Sequence, residues 1–415
     1  MTSSALHTDH YELTMLDAAL RAGTAGEPAT FEVFTRSVPP GRRFGVFAGL
    51  GRVLDLLETF VFGPDEIAWL ESAGVVGPAT LEWLASYRFS GDLYAYAEGE
   101  LYTGGSPVLT VQGTFGEAVL LETVVLSVLN HDSAVAAAAS LIAEAAAGRS
   151  LIEMGSRRTD TDAAVAAARA AYLCGFDSSS NLEAGRRYGL PTAGTAAHAF
   201  IQSFPDERSA FAAQVAAAGP GTTLLVDTFD TEQGIRNAVE VAGPRLGAVR
   251  IDSGDLVAET QRARALLDSL GAAGTRVVVT GDLDDAKIRE LSSAPADSYG
   301  AGTSVVTGLG SPTSGFVYKL VSMSGRSVNK TSPGKATIAG RKWAWRLAAT
   351  GEEVVSLQPA PAPEGARPLQ SCVVERGRRL GGPTLEESRA HHRKAIAELP
   401  RDCALRLVLR NAPTA

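Results

Sequence analysis

Apolar and polar positions in the first third of the chain fall into short alternating runs. Residues 30–34 (TFEVF) alternate and are rich in β-formers, which predicts a strand closed by the Pro39-Pro40-Gly41 turn. Residues 92–96 and 108–111 predict further short strands between Gly-rich turns. Residues 117–130 (EAVLLETVVLSVLN) are apolar around most of a helical circumference, so a buried helix is expected there.

From about residue 150 the rhythm changes. Helical stretches (233–242, 257–270, 284–292) alternate with short apolar runs at 223–227 (TLLVD), 248–252 (AVRID), 276–280 (RVVVT) and 298–303 (SYGAGT). Repeated strand–helix units with right-handed crossovers predict a parallel sheet. Past Thr331 that rhythm is lost, and the Pro-rich stretch 358–368 reads as a loop. The expected division is a β-rich N-terminal domain over 1–130, an α/β domain over 131–330, and a segment over 331–415 that packs on the first.

Every predicted strand of the middle region ends in polar or Gly residues: Asp227, then Asp252-Ser253-Gly254-Asp255, then Gly281-Asp282, then Gly302-Thr303-Ser304. Ligands of barrels and open α/β sheets sit at such C-terminal strand ends. Four equipped ends in succession favour an enzyme over a scaffold.

Composition narrows the choice. With 415 residues, 45% of them hydrophobic, the chain can bury a large core. A net charge of -8 argues against a general nucleic-acid binder. It is compatible with an anionic substrate, because a few Arg in a pocket reverse the local field. The three Cys (Cys174, Cys372, Cys403) lie far apart, so neither a disulfide framework nor a Cys-type zinc site is expected. The start, MTSSALHTDHYELTM, lacks the basic-then-apolar pattern of a signal peptide, and the Ala-rich run 134–147 reads as too short for a bilayer. A cytoplasmic protein is expected, with no membrane and no nucleic-acid partner.

Two readings stand at most of the chemical positions. In residues 250–255 (RIDSGD), exposed N–H groups beside Gly254 suit a phosphate, and Asp252 and Asp255 suit ribose hydroxyls or Mg²⁺; the plain alternative is a βα turn with Asp255 as helix N-cap. Gly302, Thr303 and Ser304 offer donors for a phosphate monoester, or simply form a tight turn. Two such turns together favour a sugar phosphate. Arg157 and Arg158 can clamp a diphosphate or lie solvated. His198, flanked by Ala, is a packed residue or a phosphoryl acceptor, whereas His391 and His392 sit in a polar tail expected to be solvated. Tyr11 is a packing residue or stacks on a planar ligand.

Taken in order, TDHYELTM, AEGELY, LLETVVLSVLN, EMGSRR, GFDSSSN, AGTAAHAF, LLVDTFDT, VRIDSGDL, YGAGTSVVTG, VYKLV and SPGKATIAGRK resemble the nicotinate phosphoribosyltransferase family over residues 8–346. The resemblance implies a type II phosphoribosyltransferase: an irregular α/β barrel, an N-terminal β-rich α+β domain completed by C-terminal segments, and a homodimer with shared active sites. It implies nicotinate and phosphoribosyl pyrophosphate (PRPP) as substrates, ATP as co-substrate and Mg²⁺ as cofactor, in NAD salvage. By matching positions His198 is the phosphohistidine. Thr195, Arg250 and Ser180 face nicotinate, and Tyr11 stacks on its ring from the neighbouring subunit. Arg157 faces the pyrophosphate, and Ser253, Gly254, Asp255, Gly302 and Thr303 hold the sugar phosphate. Asp227 and Asp252 approach ribose or Mg²⁺. Nicotinamide-using relatives carry an acidic residue where this chain has Ser180, and a carboxylate there would repel nicotinate; the inference requires that Asp177 point elsewhere. The rivals are a nicotinamide or quinolinate phosphoribosyltransferase and a non-catalytic PRPP-sensing relative. An aldolase-like barrel needs a Schiff-base Lys, and none precedes Lys287.

Overall fold

Strands buried on both faces need apolar side chains at every position, not every second one. Val277, Val278 and Val279 meet that condition, as do Ala248 and Val249 on the neighbouring strand. The computed structural model describes residues 3–332, 337–400 and 403–410. Its chain forms two units: Met1–Ala137 with Ser311–Ala415, and Ala138–Gly310.

The second unit holds six parallel strands: β1 (Ser150–Glu153), β2 (Ser178–Ser179), β3 (Thr223–Leu225), β4 (Ala248–Ile251), β5 (Arg276–Val279) and β6 (Ser298–Ala301). Their order in the sheet is β2-β1-β6-β5-β4-β3. That is the cyclic order of a barrel, with β6 returning beside β1 and the ring left open between β2 and β3. The fold is thus the expected irregular α/β barrel, curled but open on one side. Register aligns one rim, for Ala301 lies opposite Glu153 and Val279 opposite Ile251.

The predicted strands of this unit start where expected and stop one or two residues early. The missing residues, among them Asp227, Asp252, Thr280 and Gly302, are those that turn over the rim. The following helices, Thr231–Ala242, Leu256–Ser269 and Asp285–Glu290, begin at Asp230, Asp255 and Asp284. Each of these aspartates accepts a backbone N–H from the third residue beyond it, satisfying one orphan donor of the helix start.

In the first unit, Pro28–Thr35 pairs antiparallel with both Leu109–Thr114 and Phe316–Met323. Asp92–Tyr96 joins Leu109–Thr114 to Gln370–Glu375. Phe316–Met323, placed by sequence within the α/β segment, belongs to this sheet. The unit boundaries therefore fall at 137/138 and 310/311, where 130/131 and 330/331 were expected. The first of these lies inside a helix: the apolar run predicted as 117–130 forms Phe115–Val119 and then Glu122–Ala146. It continues because Ala is the strongest helix former. Polar residues past its predicted end find partners in place, Asp132 Oδ1 from Arg52 at 2.7 Å and Ser133 on the Ala48 backbone. Phe115–Ala146 is long and apolar enough to cross a bilayer, contrary to the reading of residues 134–147 as too short, but 72% of its apolar window is buried inside the protein, as in a core helix.

The tail histidines are also corrected. His392 is buried, its Nδ1 lies 2.9 Å from the Gly99 carbonyl, and burial pushes its pKa down to about 4. His391 Nε2 lies 2.9 Å from Glu100, which Arg346 and Arg367 also pair. This polar helix, Leu385–Glu398, lies against interior charge that no local pattern announces.

Candidate active site

Residues two apart on a strand point to the same side. Arg250 and Asp252 at the end of β4 do so, and Arg250 Nη2 donates to Asp252 Oδ1 at 2.9 Å. The guanidinium also donates from Nε to Thr280 Oγ1 at 2.9 Å and from Nη1 to Thr195 Oγ1 at 2.8 Å. Its side chain is only 14% exposed, so this planar cation is fixed by three partners. Burial pushes the Asp252 carboxyl pKa up, but the Thr280 and Arg250 hydrogen bonds and the nearby charges of Arg250 and His198 outweigh it. The net shift is downward, so Asp252 is an anion at neutral pH.

His198 opens the short helix His198–Gln202. Its Nδ1 lies 3.1 Å from Thr228 Oγ1 and its Nε2 3.9 Å from Asp252 Oδ2. The ring is 42% exposed, so it is accessible from solvent while its orientation is held. The packed-core reading of this histidine fails on that exposure.

Asp227, just past β3, accepts the Asp252 N–H at 2.7 Å and the Ser253 hydroxyl at 2.8 Å, both on Oδ2. Its Oδ1 is buried without a hydrogen-bond partner. A lone buried carboxylate oxygen calls for a cation or water. Among the described residues no three His, Cys, Asp or Glu gather as a metal site. Mg²⁺ needs only one or two carboxylates because it keeps its waters, so Asp227 Oδ1 beside Asp252 fits that ion.

A cavity of about 180 Å³ opens on this rim, lined by Arg157, Arg158, Arg250, Asp252, Gly302 and Thr303, together with Met154, Thr280, Gly281, Asp282 and Gly300. Arg157 and Arg158 are exposed, and neither has an ion-pair partner among the described residues. Thr303 starts the four-residue turn Thr303–Val306 after Gly302. A Cβ on Gly302 would sit 2.8 Å from the Met154 carbonyl, so only Gly lets these two rim segments touch. Gly281 has φ +111° and a Cβ there would lie 2.4 Å from the Asp252 carbonyl, which makes it obligatory.

The structure brings Thr195, His198, Asp227, Arg250, Asp252 and Ser253 into one hydrogen-bonded and ion-paired cluster and sets Arg157, Gly302 and Thr303 on the same cavity as Arg250. Gly254 and Asp255 line an adjoining recess that also contains Asp252. Asp255 is the helix N-cap, as its plainer reading had it. Ser180 is exposed, lies outside the cavity lining and donates its N–H to the Glu153 carbonyl. The Asp177 carboxylate accepts the Leu151 N–H near the opposite end of β1, so it does point elsewhere. Tyr11 belongs to the first unit, in helix His10–Ala22, where it is 43% exposed. Sequence reasoning missed Thr228 and Thr280, which orient His198 and Arg250. Their one signal was a hydroxyl at or just past the end of a predicted apolar run.

The family model for the nicotinate phosphoribosyltransferase (NAPRTase) N-terminal domain matches residues 6–130. Over 413 aligned residues the chain is 53% identical to a nicotinate phosphoribosyltransferase of Mycobacterium tuberculosis, covering 96% of this chain and 91% of that one. The crystal structure of human nicotinic acid phosphoribosyltransferase superposes with a TM-score of 0.85 at 27% identity, covering 97% of each chain. A nicotinate-nucleotide pyrophosphorylase from Pyrococcus furiosus shares the fold at a TM-score of 0.80 and 24% identity, over 94% of both chains. With a half-buried arginine–aspartate pair, an accessible histidine and paired arginines on one barrel rim, the chain belongs to the nicotinate phosphoribosyltransferase family.

Proposed function

We infer that the protein joins nicotinate to the phosphoribosyl group of PRPP, forming nicotinate mononucleotide and pyrophosphate in NAD salvage, as a cytoplasmic enzyme. The observation that carries this reading is the Arg250–Asp252–Thr195 cluster opening onto a cavity that also holds two arginines with no ion-pair partner among the described residues. The pyridine nitrogen attacks C1 as the bond to pyrophosphate breaks, and the departing charge falls to Arg157 and Arg158. Arg250 and Thr195 meet the nicotinate carboxylate. Asp252 approaches the ribose, and Ser253, Gly254, Asp255, Gly302 and Thr303 hold the 5-phosphate region. Ser180 completes the nicotinate pocket, and Tyr11 stacks on the ring from the second subunit of a homodimer. Asp227 and Asp252 would hold a Mg²⁺ ion, which would neutralise charge on the diphosphate.

ATP enters as co-substrate. Its terminal phosphoryl group passes to a ring nitrogen of His198, releasing ADP, and water later cleaves the phosphohistidine. The added charge of about -1.5 to -2 arises beside Asp252, only 3.9 Å from the ring. Two anions then compete for Arg250, which gives the modification a direct means of rearranging the nicotinate side of the site. The test is turnover with nicotinate and PRPP, with and without ATP, and in competition with nicotinamide and quinolinate. Turnover with nicotinate that neither rival pyridine displaces is the expected result. Preference for either rival, or PRPP binding without turnover, overturns the assignment.

A further inference from the structure

Glu153, the last residue of β1, is fully buried, lies outside the cavity lining and is unused by the chemistry above. No cation pairs with it among the described residues, and burying an unpaired carboxylate is expensive. Burial pushes its pKa up, with the Ser179 and Gly155 hydrogen bonds opposing that shift. Its two oxygens face two different segments. Oε1 accepts the Gly155 N–H, and Oε2 accepts the Ser179 hydroxyl at 2.6 Å. Ser179 Oγ in turn accepts the Asn181 N–H at 2.9 Å, and the Asn181 side-chain amide donates to Ser156 Oγ at 3.1 Å.

One carboxylate thereby joins the turn that carries Arg157 to the segment that carries Ser180. That turn also presses on the Gly302–Thr303 turn. A Cβ on Gly155 would lie 2.3 Å from Val306 Cγ1 and 2.9 Å from the Gly302 carbonyl, and the Met154 N–H donates to the Ala301 carbonyl at 2.8 Å. An apolar side chain at position 153 could fill the space but could not hold both segments.

The geometry points to Glu153 as a positioning residue that fixes the Arg157 turn against the Gly302–Thr303 turn and so sets the grip on a sugar phosphate bearing a diphosphate. It rests on the reading of this rim as the PRPP site. Glu153→Met keeps nearly the same length but accepts from neither donor, and Ser179→Ala cuts the same link from the other side. Steady-state kinetics of each full-length variant should show KM for PRPP raised about tenfold, with kcat changed less than about threefold. The double variant should be no worse than the poorer single one, because both substitutions break one linkage. A purely structural role would lower the melting midpoint and the active fraction yet leave KM for PRPP unchanged, and that outcome overturns the proposal. If Glu153→Met does not fold, Ser179→Ala alone decides, by the same split. Arg157→Ala separates the two claims: an unchanged KM for PRPP there sinks the rim assignment itself, whereas a raised KM there with none in the Glu153 and Ser179 variants sinks only the positioning role.

Discussion

Arg250 Nη2 donates to Asp252 Oδ1 at 2.9 Å, across two positions of one strand end. The pair gathers a half-buried cation and an anion where β4 meets solvent, and each is held by further partners: Thr280 and Thr195 on the arginine, Thr280 on the aspartate. Neither side chain can swing without breaking several bonds at once. That rigidity is what a site needs to present a charge to a small aromatic acid without ordering it on binding.

Substituting Arg250→Lys keeps the charge and loses the fork. A single ammonium cannot replace three directed donors on Thr280, Thr195 and Asp252. KM for nicotinate should rise roughly ten- to a hundredfold, about 1.4–3 kcal/mol of lost binding. KM for PRPP should change far less. Initial-rate measurements over both substrates check this.

His198→Ala should abolish the stimulation by ATP and leave the ATP-independent rate. Thr228→Val removes the hydroxyl 3.1 Å from Nδ1 and should weaken that stimulation without abolishing it. Incorporation of radiolabelled phosphate from ATP is the readout. ATP that still lowers the substrate KM in His198→Ala would rule out the phosphohistidine.

Gly281→Ala forces a side chain into a left-handed backbone and against the Asp252 carbonyl. About 1–3 kcal/mol of strain is expected. Because the neighbour that must yield is Asp252, kcat/KM should fall by at least tenfold or so. A variant that lost only stability, by calorimetry, while retaining its rate would show that Asp252 tolerates the shift.

Acid stability depends on two buried groups of the first unit with opposite signs. Glu353, buried with Tyr96, Ser106 and Arg346, has its pKa pushed up to about 7 by burial. The folded state therefore takes its proton before the unfolded chain does, and its contribution grows as pH falls from 7 towards the ordinary carboxylate value. His392, pushed down to about 4, works the other way: the unfolded chain binds that proton first, so stability falls as pH drops below 6.5. Between about pH 6.5 and 5 the two slopes oppose each other. Glu353→Gln should expose the histidine slope, seen as a melting midpoint that falls more steeply on acidification than in the unsubstituted protein.

The features readable from sequence are those set by neighbours along the chain. Parallel strands such as Arg276–Val279 declare themselves as unbroken apolar runs, and Arg250 and Asp252 share a side by strand periodicity alone. Phe316–Met323 was misplaced because its membership depends on pairing with Pro28–Thr35, almost 300 residues away. His392 looked solvated because the cover over Gly99 is equally remote. Thr228 and Thr280 were overlooked since threonine past an apolar run is an ordinary β-former. Glu153 was visible as a letter, but nothing local told that its carboxylate reaches Ser179.

The barrel's missing seam has its own corollary. Beyond the lone Ser179–Thr192 bridge, no ladder crosses from β2 to β3, and the intervening stretch bears both Thr195 and His198. That stretch is tied to the rim by side chains, Thr195 to Arg250 and His198 to Thr228, in place of a strand ladder. The orientation of that histidine is thus set by a hydroxyl contact that can be altered without unzipping a strand.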